Sequence, residues 1–133
     1  DQGIQRFTYS IIPHRGSWQE AGIVRRAAEL NRPPVVLATT CHPWGSLPRR
    51  MAFIAVEPEN IVVNVIKRAE DGDGVIVRAY ETAKAATRAT IELPAWRRTI
   101  QTDFGPCDIK TFRVPKDSSA PVRETNLLEW ISE

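Results

Sequence analysis

Hydrophobic and polar residues alternate along Arg6 to Ile12: Phe7, Tyr9 and Ile11 share one face, and Arg6, Thr8 and Ser10 the other. A period of two is the mark of a half-buried strand. The period lengthens after Ser17, where Ser17-Trp18-Gln19-Glu20 has the capping-box spacing that opens helices. Ile23, Val24, Ala27 and Leu30 then form one apolar stripe, which Asn31 and Pro33-Pro34 bring to an end. Val35 to Thr39 returns to strand character, and Cys41 to Arg50, carrying Pro43, Gly45 and Pro48, reads as a linker.

From Met51 onward the pattern predicts strands: Met51 to Val56, Ile61 to Arg68, Val75 to Glu81, Thr87 to Leu93, Thr99 to Thr102 and Ile109 to Val114. The second and third form a hairpin. Its acidic turn, Glu70 to Gly74, holds two Asp-Gly dipeptides, Asp71-Gly72 and Asp73-Gly74, and these supply the positive-φ positions that a tight turn needs. Short strands at close spacing, punctuated by Pro and Gly, predict an immunoglobulin-like β-sandwich. The fold class is therefore mainly β, with a strand–helix–strand segment ahead of the sandwich. Internal repeats and low-complexity tracts are absent from the sequence.

Composition narrows the function classes. A chain of 133 residues suits one ordinary domain or two small ones. Eighteen basic against sixteen acidic residues give a net charge of +2, and the pairs Arg25-Arg26, Arg49-Arg50 and Arg97-Arg98 are dispersed. They do not make the basic stripe that nucleic-acid binding requires, so no nucleic-acid partner is expected. The longest apolar stretch, Pro33 to Thr40, is too short to cross a bilayer, so no membrane partner is expected either. Cys41 and Cys107 stand far apart and outside any Cys-x-x-Cys or Cys/His cluster, and read as reduced thiols in a cytoplasmic protein. The chain opens at Asp1 and runs directly into a strand pattern, as a piece of a longer polypeptide would.

The search for chemistry comes back nearly empty. A retaining glycosidase needs two carboxyl groups about 5 Å apart across a sugar-shaped cleft. Here Glu57 and Glu59 flank Pro58 in a loop, while Glu70, Asp71 and Asp73 crowd the hairpin turn and read as solvated turn charges. An EF-hand calcium loop would need an oxygen ligand where Val75 stands. His14 ends a strand behind Pro13, and His42 lies between Cys41 and Pro43; neither has partners at metal-ligand or triad spacing. Trp18, Trp44, Trp96 and Trp130 are candidates for a sugar platform, against the commoner role of Trp in a core or an interface. No catalytic, cofactor-binding or metal-binding residue is assigned.

Four blocks, in order, resemble the C-terminal β-domain region of glycoside hydrolase family 38 α-mannosidases. Asp1 to His14 resembles the family's D-x-G-x-x-x-F-x-Y-x-x-x-P-H stretch, and Leu30-Asn31-Arg32-Pro33 a helix-ending turn. The hairpin run Glu57 to Glu81 is the third block; Asp108 to Val114 with Glu124-Thr125-Asn126-Leu127-Leu128-Glu129 make the last and least specific. The resemblance implies that residues 1–48 are the tail of the large C-terminal β-domain and that 49–133 are the small terminal sandwich. It implies an intact enzyme that hydrolyses α-mannosidic bonds with retention, using zinc and an aspartate nucleophile in an N-terminal catalytic domain. None of those residues is carried onto this chain, which is expected to be inactive alone, to hold no cofactor, and to act as a scaffold for its own catalytic domain. A free-standing carbohydrate-binding module and a small interaction domain are the rival readings. A homodimer joined through the first segment is also expected, since strands cut from their neighbours leave open edges.

Overall fold

The acidic hairpin is the backbone of the second half of the chain. In the computed structural model, which describes residues 2–41 and 43–130, the chain divides into two units, Asp1–Thr40 and Cys41–Glu133. The second unit holds seven strands: β1 (Ala55–Glu57), β2 (Ile61–Arg68), β3 (Val75–Glu81), β4 (Thr87–Leu93), β5 (Arg98–Phe104), β6 (Ile109–Val114) and β7 (Arg123–Thr125). They form two antiparallel sheets, β1-β4-β5 and β2-β3-β6-β7. A mainly β sandwich with seven strands split three and four is the division of a constant-type immunoglobulin domain. The ladder order is the chain's own: β2–β3 and β4–β5 are hairpins, and β6 returns to pair with β3.

The core lies between the sheets because alternation places it there. Val77 and Ala79 of β3, Phe112 and Val114 of β6 and Ile61 of β2 meet Ala89, Ile91 and Leu93 of β4 and Ile100 and Phe104 of β5. Each contributes every second residue of its strand, the period that puts side chains on one face. Trp96, in a single 3-10 turn (Pro94–Trp96) between β4 and β5, packs on the edge of this cluster.

Two strand expectations change in the sandwich. Of Met51 to Val56, only the end pairs, as Ala55–Glu57. Ala55 lies opposite Glu92, so continuing the ladder would bring the chain opposite Pro94, which has no N–H to give and opens the 3-10 turn. The short strand Arg123–Thr125 is absent from the sequence reading because Arg-Glu-Thr has no apolar alternation; it is recruited by pairing with β6.

In the first unit the helical expectation is met with a shift. The reciprocal capping box forms, Ser17 N–H donating to Glu20 Oε2 at 2.8 Å and Glu20 N–H to Ser17 Oγ at 3.2 Å. It closes a separate turn, and helix α1 (Ile23–Asn31) starts after Gly22. The flanking runs differ from expectation. Neither Arg6–Ile12 nor Val35–Thr39 joins a strand ladder among the described residues. Instead of being half-buried, Phe7, Tyr9 and Ile11 are 78–84% exposed. A strand exists through its hydrogen-bonded neighbours, and an isolated extended run has nothing to pair with. The alternation still survives locally, since the Phe7 and Tyr9 rings stand on one side with centroids 6.3 Å apart.

The hairpin turn contains two glycines with positive φ, Gly72 at 76° and Gly74 at 97°, yet their surroundings differ. A Cβ on Gly74 would lie 2.1 Å from the backbone oxygen of Val114 in β6, whereas one on Gly72 would meet only the flexible end of Arg68, at 2.7 Å. Gly72→Val is expected to cost about 1–3 kcal/mol from backbone strain. Gly74→Val adds displacement of a ladder carbonyl, so its melting temperature should fall further. Equal melting temperatures for the two variants would contradict the seating of Gly74 against β6.

Candidate functional site

The most unusual group in the sandwich is Glu81. It ends β3 in phase with Val77 and Ala79, so alternation turns its carboxylate inward, where it is 2% exposed. Burial by itself would raise its pKa, but four donors reverse the balance: the backbone N–H groups of Cys107, Ala83 and Ala85, and Asn60 Nδ2, at 2.5–3.3 Å. The result is a pKa lowered to about 2. Asn60 also donates to Thr87 Oγ1 at 2.7 Å. Because Asn60 leads into β2 and Thr87 opens β4, the network spans both sheets and pins the crossover 82–86 between them.

A second polar cluster surrounds the hairpin turn. Arg113 of β6 reaches Asp71 at 2.5 Å and Asp73 at 3.7 Å, and Lys67 pairs with Glu70. The carboxylate of Glu129 binds Lys67 at 2.5 Å and accepts from Glu70 N–H at 3.1 Å. The segment Asn126–Trp130 is thereby strapped to the sheet, with Arg78 donating to the Leu127 carbonyl at 3.2 Å. Asn126 shapes the strap from within: its Oδ1 accepts from the N–H groups of Leu128 and Trp130.

Three exposed or half-buried carboxyls are tuned toward ionisation. Asp71, held by its own turn amide and Arg113, lies below the ordinary range; so do Glu129, through Lys67, and Asp117, through Ser119. A general acid for glycoside hydrolysis needs the opposite direction. Asp73 and Asp117 do line one cleft of about 500 Å³ with Arg113 and Arg123. Asp73 faces Arg113 there, and Asp117 accepts from Ser119 N–H and Oγ at 2.8 Å. The acidic hairpin turn carries exposed charges paired with Arg113 and Lys67, and among the described residues no group of three His, Cys, Asp or Glu side chains is placed to hold a metal.

Comparison with known proteins gives this architecture its relatives. Residues 60–132, over half of the chain, match the family model described as the glycosyl hydrolases family 38 C-terminal beta sandwich domain. The chain belongs to this family. Alpha-mannosidase G of Dictyostelium discoideum is 41% identical over 93 residues, covering 65% of this chain and 8% of that protein. Alpha-mannosidase 2C1 of Mus musculus and of Homo sapiens are 33% and 31% identical over 84 residues, covering 61% of this chain and 8% of each protein. The chain thus spans under a tenth of the length of the curated relatives it matches. No solved structure matches it.

Within this family 38 chain, the residues singled out in the sequence fall in separate places. Trp96 packs against the core, Trp44 is exposed in the linker and Trp130 ends the strap, so these three make no row on either sheet face. In the first unit, Trp18 and His14 line a cleft of about 540 Å³ with Ile12, Ile23, Arg26 and Leu30, the apolar stripe of α1 forming one wall. His42 lies outside the described residues. Cys41 and Cys107 are exposed free thiols, and Cys107 contributes its backbone N–H to Glu81. Sequence reading passed over Glu81, Asn60, Asn126 and Glu129. For Glu81 the signal was available: a carboxylate in the apolar phase of a strand.

Glu81 ties stability to acid. Its folded pKa of about 2 lies below the ordinary 4.5, so its contribution is full above pH 4.5 and is lost as pH falls through about 2. At about 1.4 kcal/mol per pH unit, that contribution is about 3 kcal/mol. Denaturant unfolding measured from pH 6 down to pH 2 should show the decline in the wild type. Glu81→Gln, which turns an amide N–H₂ toward backbone donors, should lose about 2–3 kcal/mol at pH 6 and show a flatter pH dependence. A variant as stable and as pH-sensitive as the wild type would remove Glu81 from this role.

Proposed function

We propose that this chain is the non-catalytic C-terminal β region of an α-mannosidase and serves as scaffold for the catalytic part of the same polypeptide. The observation that carries the reading is the match of residues 60–132 to the family 38 sandwich, in relatives named alpha-mannosidases whose length is more than ten times the matched stretch. The electrostatics point the same way. The perturbed carboxyls serve hydrogen bonding and ion pairing in the fold, with acidities shifted away from proton donation.

On this reading the first unit is the tail of the larger β-domain. Its runs Arg6–Ile12 and Val35–Thr39, with Phe7, Tyr9, Ile11, Val35, Val36 and Leu37 exposed, are segments that sheet neighbours would turn into strands. Zinc and the aspartate nucleophile belong to the catalytic domain of the intact enzyme, which hydrolyses α-mannosides with retention. The compartment that suits two exposed free thiols is the reducing cytoplasm. No helix among the described residues is long and apolar enough to cross a membrane.

The pure chain, incubated with an activated aryl α-mannoside with and without divalent metals, is expected to give no turnover. The full polypeptide encoded with it is expected to hydrolyse the same substrate. Activity that stays with the 133-residue chain through stringent purification would end the scaffold reading.

A further inference from the structure

The outer faces of the two sheets differ in how much apolar surface they carry, although both bear charged residues. On the three-stranded sheet, the positions facing away from the core are Glu57, Arg88, Thr90, Glu92, Thr99, Gln101 and Asp103, beside the single apolar Ala55. That is a face built for water. On the four-stranded sheet, the register places Val62, Tyr80 and Ile109 side by side across β2, β3 and β6, on the face opposite Val77 and Ala79. Ile109 is 57% exposed there.

The strap lies on this same face. Arg78 and Lys67, which hold it, alternate along their strands with the core residue Val77 and with its ladder partner Ile66, and so lie on the face away from the core. Its polar residues are spent internally: Asn126 closes the loop and Glu129 anchors it to the hairpin. Leu127, Leu128 and Trp130 are left 62–69% exposed on a loop fixed at both ends. Large apolar side chains held rigidly in water lower the ordering cost of docking, which is how interface anchors gain strength.

We propose that this outer face, made of Val62, Tyr80, Ile109, Leu127, Leu128 and Trp130, docks against the remainder of an α-mannosidase polypeptide. The proposal rests on the function proposed above. The occupant is chosen by length: the matched stretch is 8% of each relative, so each carries more than nine-tenths of its chain as a potential partner surface in cis. The polar face of the other sheet is left to solvent.

Hydroxyl-radical footprinting of the chain alone and of the full polypeptide that carries it tests this directly. Labelling of Tyr80, Ile109, Leu127, Leu128 and Trp130 is expected to fall about fivefold or more in the full polypeptide, as desolvated interface anchors require. Ile109→Arg and Leu128→Arg in the full polypeptide should restore labelling at the neighbouring residues, whereas Gln101→Arg on the other sheet should not. Unchanged labelling in the full polypeptide would overturn the proposal. Protection that appears in the chain alone as its concentration rises would also overturn it, assigning the face to a second copy. A reading frame with no α-mannosidase-like remainder would refute the proposed function itself, and the occupant with it.

Discussion

The sandwich depends on a buried negative charge that, among the described residues, hydrogen bonds and not an ion pair hold in place. Sheet-to-sheet crossovers are the weak points of such a fold, because a loop leaving one sheet for another carries backbone N–H groups that no ladder satisfies. Glu81 gathers these donors. Its carboxylate takes the N–H groups of Ala83 and Ala85 from the β3–β4 crossover and of Cys107 from the β5–β6 turn, while Asn60 brings the entrance of β2 to the same point. A neutral side chain of the same shape would leave several of these groups unpaired. Charge is favoured here because hydrogen bonds to an ionised acceptor are roughly twice as strong as neutral ones.

The strap repeats this logic on the outside of the four-stranded sheet. Glu129 neutralises Lys67 and accepts from the Glu70 amide, so the hairpin turn and the strap hold each other. Ile76, between Lys67 and Arg113 in the ladder, is fully buried although it points away from the main core. One outer face thus has a small second layer of burial at one end and, at the other, a row in which Val62 and Tyr80 are half-buried and Ile109 is exposed. The opposite sheet needs neither, since its outer positions are polar throughout β4 and β5.

Much of the sandwich was legible in the sequence because its strands are governed by local alternation. Ile61–Arg68, Val75–Glu81, Thr87–Leu93 and Ile109–Val114 are found with the boundaries that β-branched runs and turn residues mark. Where the reading differs, the deciding force is non-local. Met51–Ile54 loses its ladder to the 3-10 turn at Pro94, Arg123–Thr125 gains one from β6, and Arg6–Ile12 has a strand's sequence without a strand's neighbours. The polar nodes were harder to see. A capping box is read from four consecutive residues, but the donors of Glu81 come from positions up to 26 residues away, and no spacing rule announces them.

A general acid and a structural carboxylate use charge in opposite ways, and the shifted carboxyls of the sandwich are of the second kind. An active site holds at least one acid in an environment that disfavours its ionised form, so that a proton is available near neutral pH. In the sandwich, burial of Glu81 creates that unfavourable environment, and the surrounding donors overwhelm it, leaving a carboxylate that is ionised at any physiological pH. Asp71 and Glu129 are driven the same way by Arg113 and Lys67 together with backbone amides. Groups so firmly ionised have no proton to give near neutral pH. What the polar nodes do in the fold is join the hairpin turn, the strap and the crossover to the strands beside them.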